Sequence, residues 1–136
     1  MNDGVDRTFL LATDADEVFA EVDAALADSA TTVARVRAGR DVLAAVRELS
    51  PHLVMLDLQI GNMGGVATAL ALRNEEGAGR LDPVPVIMLL DRSADVFLAR
   101  RARAEGWLIK PIDPLRLMRA TNAVLDGRSH TEGLAG

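Results

Sequence analysis

Several residue types are absent or scarce in this chain of 136 residues. It has no cysteine, which excludes disulfides and thiolate metal sites. Although fifteen residues are Lys or Arg, Lys110 is the single lysine. Aromatic residues make up 3% of the chain, and Trp107 is the one tryptophan. Thiol chemistry is therefore excluded, and an isolated lysine in an arginine-rich chain calls for an explanation.

Charge and composition are typical of one globular domain. The formal net charge is −5, whereas a nucleic-acid surface needs an excess of clustered cations, so we expect no nucleic-acid contact. The acidic start MNDGVDR does not resemble a secretory signal, and no apolar run approaches spanning length, so we expect a cytoplasmic protein without a membrane contact. We expect residues 1–127 to form the domain and residues 128–136, too short to fold alone, to form a flexible tail.

Short apolar runs alternate with longer helical patterns along the chain. Strands are predicted at 8–13, 31–38, 52–57, 85–90 and 107–109. Helices are predicted at 14–29, 40–50, 65–76, 93–104 and 113–127. This order is typical of a five-stranded doubly wound parallel sheet with helices on both faces, a flavodoxin-like α/β fold. Ligands bind such sheets beyond the carboxyl ends of the strands.

Acidic residues and the single lysine follow the strands at that edge: Asp14 and Asp16, Asp57, Asp91 and Lys110. Crowded carboxylates repel one another unless a cation joins them. Mg²⁺ is the natural candidate, because it binds a few carboxylates together with water and phosphate oxygens. A lysine opposite would then pair with a phosphoryl group as a compact charge. The sequence therefore predicts an edge that binds magnesium and phosphate.

Three segments, HLVMLD with the loop LQIGNMGG, PVIML and WLIKPID, together resemble the receiver domain of bacterial two-component response regulators. The resemblance covers roughly residues 7–125 and implies that Asp57 accepts a phosphoryl group from a histidine kinase. It implies that Lys110 contacts that group and that the Lys110–Pro111 bond is cis. It also implies a magnesium ion held by acids after the first strand, by Asp57 and by the backbone carbonyl of Gln59.

The acidic residues after the first strand depart from the receiver pattern. The family usually has two adjacent acids there, whereas this chain has Asp14, then Ala15, with Asp16 one position late. The expected magnesium site is therefore weakened. The alternative is structural: Asp14 would cap the first helix, with Glu17 three positions on. Asp57 likewise has a structural alternative, as the cap of the segment that follows it.

The end of the fourth strand departs more sharply. Leu90 and Asp91 stand where the family has Thr or Ser followed by a small residue. The missing hydroxyl would donate to the phosphoryl group a hydrogen bond of about 1.5–3 kcal/mol. Asp91 adds a negative charge beside the phosphate, which weakens the switch as the family builds it.

The loop after Asp57 is a third departure, because it carries Gly61 and Gly64 where the family often has a proline and an aspartate. Glycines either make this loop mobile or leave its backbone N–H groups free to face an anion.

Trp107 stands where receivers often have an aromatic residue that swings between exposed and buried, although we expect it mainly to pack. The fourth helix and fifth strand form the usual output surface of receivers, and a homodimer through the face of helix 4, strand 5 and helix 5 is possible. The basic residues Arg100, Arg101 and Arg103 belong to that region and are typical of a solvated helix face.

Three functions compete. The leading hypothesis is a stand-alone, single-domain response regulator that is phosphorylated on Asp57 by a histidine kinase or phosphotransfer protein. It would act through contacts with an unidentified output protein and would not be an enzyme beyond slow self-dephosphorylation. The alternative is a receiver-shaped binding module that is independent of phosphorylation. A haloacid-dehalogenase-type phosphohydrolase, with Asp14 as nucleophile and Asp16 as general acid/base, is less favoured because the chain lacks that family's later acidic pair.

Overall fold

The computed structural model describes residues 6–133. Strands and helices alternate throughout, in the order β1 (Arg7–Ala12), α1 (Asp16–Leu26), β2 (Thr31–Val36), α2 (Val42–Leu49), β3 (Leu53–Asp57), α3 (Gly65–Gly77), β4 (Val86–Leu90), α4 (Val96–Arg101), β5 (Gly106–Ile109) and α5 (Pro114–Leu125). The five strands form one parallel sheet in the order β2-β1-β3-β4-β5. The predicted α/β class and doubly wound sheet are confirmed.

Two apolar layers cover the sheet, one on each face. Alternate strand residues point to opposite faces. On one face Leu10, Leu56 and Met88 pack with α2, α3 and α4, and on the other Leu11, Met55 and Leu89 pack with α1 and α5. Every residue of β3 and β4 is buried, as their continuous apolar sequences predict. The sheet interior is therefore apolar up to the edge where the polar side chains begin.

Of the two helix caps predicted from the sequence, the one on α5 is confirmed and the one on α1 is wrong. Asp113 caps α5 as predicted, with its carboxylate accepting a hydrogen bond of 2.9 Å from the N–H of Arg116. The proposed cap by Asp14 is wrong, because α1 begins after Ala15 without a side-chain cap. Within residues 6–133, no helix is both long enough and apolar enough to cross a membrane.

Residues 128–133, which the sequence assigned to a flexible tail, lie along the outer edge of β5. His130 forms a parallel bridge with Gly106, and the carbonyl of His130 accepts a hydrogen bond of 2.9 Å from the N–H of Trp107. The flexibility of this segment stays a prediction, which these contacts oppose. The rest of the expected tail, 134–136, and residues 1–5 of the expected domain lie outside the described residues.

The loop that follows Asp57 is held by the loop between β2 and α2. The N–H of Gly39 donates to the carbonyl of Gly61 at 3.1 Å, and the N–H of Arg40 donates to the carbonyl of Asn62 at 2.9 Å. Asn62 and Met63 have positive φ angles of 51° and 75°, which are strained for residues with side chains. The neighbouring loop therefore helps to fix the backbone beside Asp57 in a conformation that it would not favour alone.

The fit of Gly39 against this loop is tested by adding one methyl group. A Cβ at Gly39 would lie 1.9 Å from the carbonyl oxygen of Met63, so we expect Gly39→Ala to lower the free energy of unfolding by about 2 kcal/mol or more. Gly77, at the end of α3, has open space around its Cα, so Gly77→Ala is the control and should stabilise by about 0.5–1 kcal/mol. Urea unfolding followed by circular dichroism measures both; equal stability of the two variants would contradict the close approach.

Candidate functional site

Asp57 ends the central strand β3, and its side chain is held by three hydrogen bonds. The residue is only 2% exposed. Lys110 Nζ donates to Asp57 Oδ1 at 2.7 Å, and the N–H of Gln59 donates to the same oxygen at 3.1 Å. The hydroxyl of Thr13 donates to Oδ2 at 2.7 Å. Both oxygens of a nearly buried carboxylate therefore have donors, as a buried charge requires.

Lys110 reaches Asp57 from the end of β5, across the end of β4. Its N–H donates to the carbonyl of Leu90 at 2.8 Å, and the Lys110–Pro111 bond is cis, as the resemblance implied. Its ammonium group also donates to Asp91 Oδ1 at 3.1 Å. Burial alone would lower the pKa of Lys110, but the hydrogen bonds and charges of Asp57 and Asp91 outweigh it and raise that pKa. The lysine is therefore a charged bridge between two carboxylates.

Thr13 is the residue at this site that sequence reasoning missed. It is fully buried, follows β1 directly, and accepts a hydrogen bond of 3.1 Å from the N–H of Ala15 while donating to Asp57. The available signal was a single polar residue at the end of the apolar run TFLLAT, immediately before Asp14. The side chain that faces Asp57 from β1 is therefore a neutral hydroxyl, and Ala15 takes no part beyond its backbone.

The structure separates the two acids that were expected to share a metal with Asp57. Asp16 lies on the outside of α1, where Arg35 and Arg37 donate to it at 2.8 Å and 3.0 Å and lower its pKa. Asp14 is exposed and faces the loop after Asp57, since a Cβ at Gly61 would lie 3.7 Å from Asp14 Oδ2.

These placements limit what metal site the chain can form. Among the described residues, no group of three or more His, Cys, Asp or Glu side chains is arranged to hold a metal ion. Mg²⁺ is commonly held by one or two carboxylates together with phosphate oxygens and water. The described residues therefore form no metal site of three or more such side chains, and the sharing of an ion by Asp14 and Asp57 with a phosphate stays a prediction.

The expected switch residues occupy the region between β4 and β5. Leu90 is fully buried in the apolar layer beneath α2, α3 and α4, so it offers this site no hydroxyl. Asp91 follows it and binds Lys110. Trp107 belongs to the same apolar layer and is 6% exposed, in agreement with the packing role expected of it. The guanidinium of Arg100 lies 6.0 Å from the centre of its ring.

The family model described as "Response regulator receiver domain" matches residues 9–122. The chain belongs to this family. Receiver domains are phospho-acceptors in two-component signalling and generally bind Mg²⁺ at the phosphorylation site. With the family shown and Asp16 bound by two arginines, nothing in the site supports the phosphohydrolase interpretation.

Relatives and solved structures agree with this assignment. The chain is 34% identical over 113 residues to the DNA-binding response regulator MtrA of Mycobacterium tuberculosis H37Rv, covering 76% of this chain and 47% of MtrA. It is 28% identical over 102 residues to the nitrate/nitrite response regulator NarL of Escherichia coli K12, covering 75% of this chain and 46% of NarL. In fold it resembles the chemotaxis response regulator CheY4 of Vibrio cholerae, with a TM-score of 0.78, 22% identity, and coverage of 88% of this chain and 99% of CheY4.

The chain spans about half the length of MtrA and NarL. DNA binding is stated of MtrA, and the matched part of this chain is the receiver. The expectation that this receiver makes no nucleic-acid contact therefore stays a prediction.

The hydrogen bond from Thr13 to the Asp57 carboxylate is open to direct measurement. Thr13→Val keeps the shape but removes the donor to Asp57 and the acceptor for the Ala15 N–H, so we expect the free energy of unfolding to fall by at least about 1.5–3 kcal/mol. Thr13→Ser keeps the donor and should lose about 1 kcal/mol, from one buried methyl group. In an Asp57→Asn background the charge is gone, and the cost of Thr13→Val should shrink to about 1 kcal/mol or less. Equal costs in both backgrounds, measured by urea unfolding, would show that the bond to the charged carboxylate is unimportant.

Proposed function

We propose that this receiver accepts a phosphoryl group on Asp57. The observation that carries the proposal is the contact of 2.7 Å between the ammonium of the only lysine and the Asp57 carboxylate at the end of β3. A lysine amine is a compact charge that can follow a phosphoryl group, which an arginine fork does not match equally well. A chain that otherwise uses arginine keeps a lysine where that charge is needed.

The transfer itself requires little from the protein beyond position and charge. An oxygen of Asp57 attacks the phosphorus of a phosphohistidine or acyl phosphate, so that a P–O bond forms at Asp57. The bond from phosphorus to the donor breaks, and its electron pair leaves with the donor. The Lys110 ammonium stabilises the negative charge that gathers on the phosphoryl oxygens. Mg²⁺, held by Asp14, Asp57 and phosphate oxygens with a predicted contact from the Gln59 carbonyl, would supply further neutralising charge.

Asp91 and Leu90 make this site different from one that carries a hydroxyl at the end of β4. Asp91 holds the lysine at 3.1 Å, so an arriving phosphoryl group competes with an internal carboxylate for the same ammonium. The two negative groups also repel each other at short range. We therefore propose that the phosphorylated form is less stable here, and its population lower, than it would be without Asp91.

A second candidate function is suggested by the hydrogen bonds that the Asp57 carboxylate already accepts within the protein. Its two oxygens accept hydrogen bonds from Thr13, Gln59 and Lys110, and the residue is almost inaccessible to solvent. An arrangement of this kind is stable without a phosphoryl group. The chain would then be a binding module whose conformation does not depend on phosphorylation, and the first experiment below decides between the two.

The proposed partners follow from the family. A histidine kinase or phosphotransfer protein would supply the phosphoryl group, and an output protein would read the state of the domain. We propose that the receiver works in the cytoplasm, without membrane contact, and that it is not an enzyme beyond slow self-dephosphorylation. The surface of α4, β5 and α5 is the candidate face for output and for a homodimer, since Phe97 and Leu115 expose 62% and 58% of their surface there.

Intact mass after incubation with a small acyl phosphate tests phosphoryl transfer. With Mg²⁺ we expect one phosphoryl group to be added to the wild-type chain, less in EDTA, and none to Asp57→Asn. Asp82→Asn, an exposed acid before β4, is the matched control and should react like wild type. No addition to any of the folded proteins would reject phosphorylation and favour the phosphorylation-independent module.

Competition by Asp91 predicts that its removal strengthens the phosphorylated state. Asp91→Ala frees Lys110 from one carboxylate and removes a repelling charge, so we expect the phosphorylated fraction at steady state to rise at least about threefold. Asp91→Asn should lie between Asp91→Ala and wild type, because the amide keeps an acceptor without the charge. Mass spectrometry over a time course gives both level and lifetime. A lower phosphorylated fraction in Asp91→Ala would mean that Asp91 supports the reaction.

A further inference from the structure

The segment after α5 pairs with the sheet in the manner of an added strand. In the sheet order β5 is an edge strand, and its outer N–H groups need partners. The N–H of Trp107 donates to the carbonyl of His130 at 2.9 Å, and the indole N–H of Trp107 donates to the carbonyl of Glu132 at 3.0 Å. We call residues 128–133 the strap. The strap is therefore parallel to β5 at one bridge, between His130 and Gly106, and side-chain contacts of Trp107 and Glu132 hold it beyond that point.

Glu132 is the residue that fastens the strap. Its Oε1 accepts a hydrogen bond of 3.0 Å from the N–H of Ile109, which is the next outward N–H of β5. Arg116 donates to both carboxylate oxygens, with Nε at 2.9 Å from Oε2 and one terminal nitrogen bonded to Oε1. His130 Nε2 lies 3.1 Å from Oε2. A bidentate pair of arginine and carboxylate is among the strongest and most directional contacts that proteins make.

Arg116 is positioned by groups other than Glu132. It donates to the carbonyl oxygens of Ile109 at 2.8 Å and Pro111 at 2.9 Å, and to Asp113 Oδ2 at 3.1 Å. The guanidinium is thus fixed at the junction of β5 and α5 by groups other than Glu132. Hydrogen bonding by Glu132 raises the pKa of Arg116 further, so the cation is permanent at any physiological pH. This is a preorganised receptor for a carboxylate beside the outer edge of β5.

The fit at the end of the strap is close. A Cβ at Gly133 would lie 2.7 Å from Ile109 Cδ1 and 3.2 Å from Val96 Cγ2, and the φ of Gly133 is +79°. A glycine directly after the glutamate is therefore part of what the edge accepts. The recognised pattern is an extended segment with a glutamate followed by a glycine.

We propose that the β5 edge and Arg116 form a docking site for an extended acidic segment, and that the strap occupies this site as an intramolecular ligand. The main-chain hydrogen bond at Trp107 aligns an added segment with the sheet edge, and the carboxylate contact at Arg116 supplies the selectivity. A partner segment of the same chemistry must displace the strap in order to bind. This site lies beyond Asp57, and its operation does not require phosphorylation.

The first measurement asks whether Glu132 holds the strap on the edge. Glu132→Lys places a cation beside Arg116, and we expect amide hydrogen exchange at Trp107 and Ile109 to become at least about tenfold faster. Acrylamide quenching of the single tryptophan should rise in parallel, while exchange in β3 stays unchanged. Glu17→Lys, at an exposed position on α1, is the matched control, and Glu132→Gln is a milder second variant. Unchanged protection at Trp107 and Ile109 in both Glu132 variants would overturn the proposal.

The second measurement asks whether the vacated edge is a binding site. A capped peptide RSHTEG, which reproduces the strap, is titrated into the full chain and followed by the emission of Trp107. We expect it to bind Glu132→Gln at least about tenfold more tightly than wild type, since a tethered segment competes at an effective concentration of roughly millimolar. The peptide RSHTQG should bind at least about tenfold more weakly. Equal affinity for both chains, equal affinity of both peptides, or no binding up to roughly 5 mM would show that the strap is only a structural cap.

Discussion

The ion pair between Lys110 and Asp57 is the interaction on which the rest of this site depends. It joins the ends of β3 and β5, which are separated in the sheet by β4, so it fixes the geometry of the whole carboxyl edge. Removal of Lys110 would leave the nearly buried Asp57 carboxylate with only the donors Thr13 and Gln59, whereas removal of Asp57 would leave Lys110 paired with Asp91. The side chain of Lys110 is 23% exposed and that of Asp57 is 3% exposed, so the lysine is the member that can move. Phosphorylation of Asp57, as proposed, would therefore call for a rearrangement of Lys110 rather than of Asp57.

The neighbours of this pair bias it toward the arrangement observed. Thr13 supplies a neutral donor to Asp57, and Asp91 supplies a second carboxylate to Lys110. With Leu90 buried in the apolar layer, β4 contributes no hydroxyl that would compensate a phosphoryl group. Asp91 thus adds a contact to the arrangement observed, and Leu90 withholds a donor from the proposed phosphoryl group. If Asp57 is phosphorylated as proposed, Asp91 and Leu90 would therefore favour the unmodified form over the phosphorylated one.

The fold and the centre of the site follow from local patterns in the sequence, and the outer parts do not. Continuous apolar runs identify β3 and β4, and the parallel topology then brings Asp57, Asp91 and Lys110 to one edge. Thr13 was missed because a threonine at the end of an apolar run is equally typical of an ordinary strand residue and of a residue in a site. Asp16 was expected near Asp57, but it binds Arg35 in β2 and Arg37 just after β2, each about 20 residues away in the sequence. Pairing over such a distance leaves no local pattern in the sequence. Residues 128–133 show no helix or strand periodicity in the sequence. They are held instead by hydrogen bonds to the outer edge of β5 and by the carboxylate of Glu132.

The strap and the phosphorylation site share one short strand, which constrains both. The strap holds the N–H groups of Trp107 and Ile109, and the next residue is Lys110, whose N–H is held by Leu90 on the other side. The backbone from 107 to 110 is thus fixed alternately from the strap and from β4. A sideways shift of β5 would break main-chain bonds on one side or the other, so the strand resists small displacements. While the strap is in place, a change at Asp57 therefore moves mainly the flexible side chain of Lys110 and not its backbone. Release of the strap would remove the hydrogen bonds that hold β5 on its outer side, at Trp107 and Ile109.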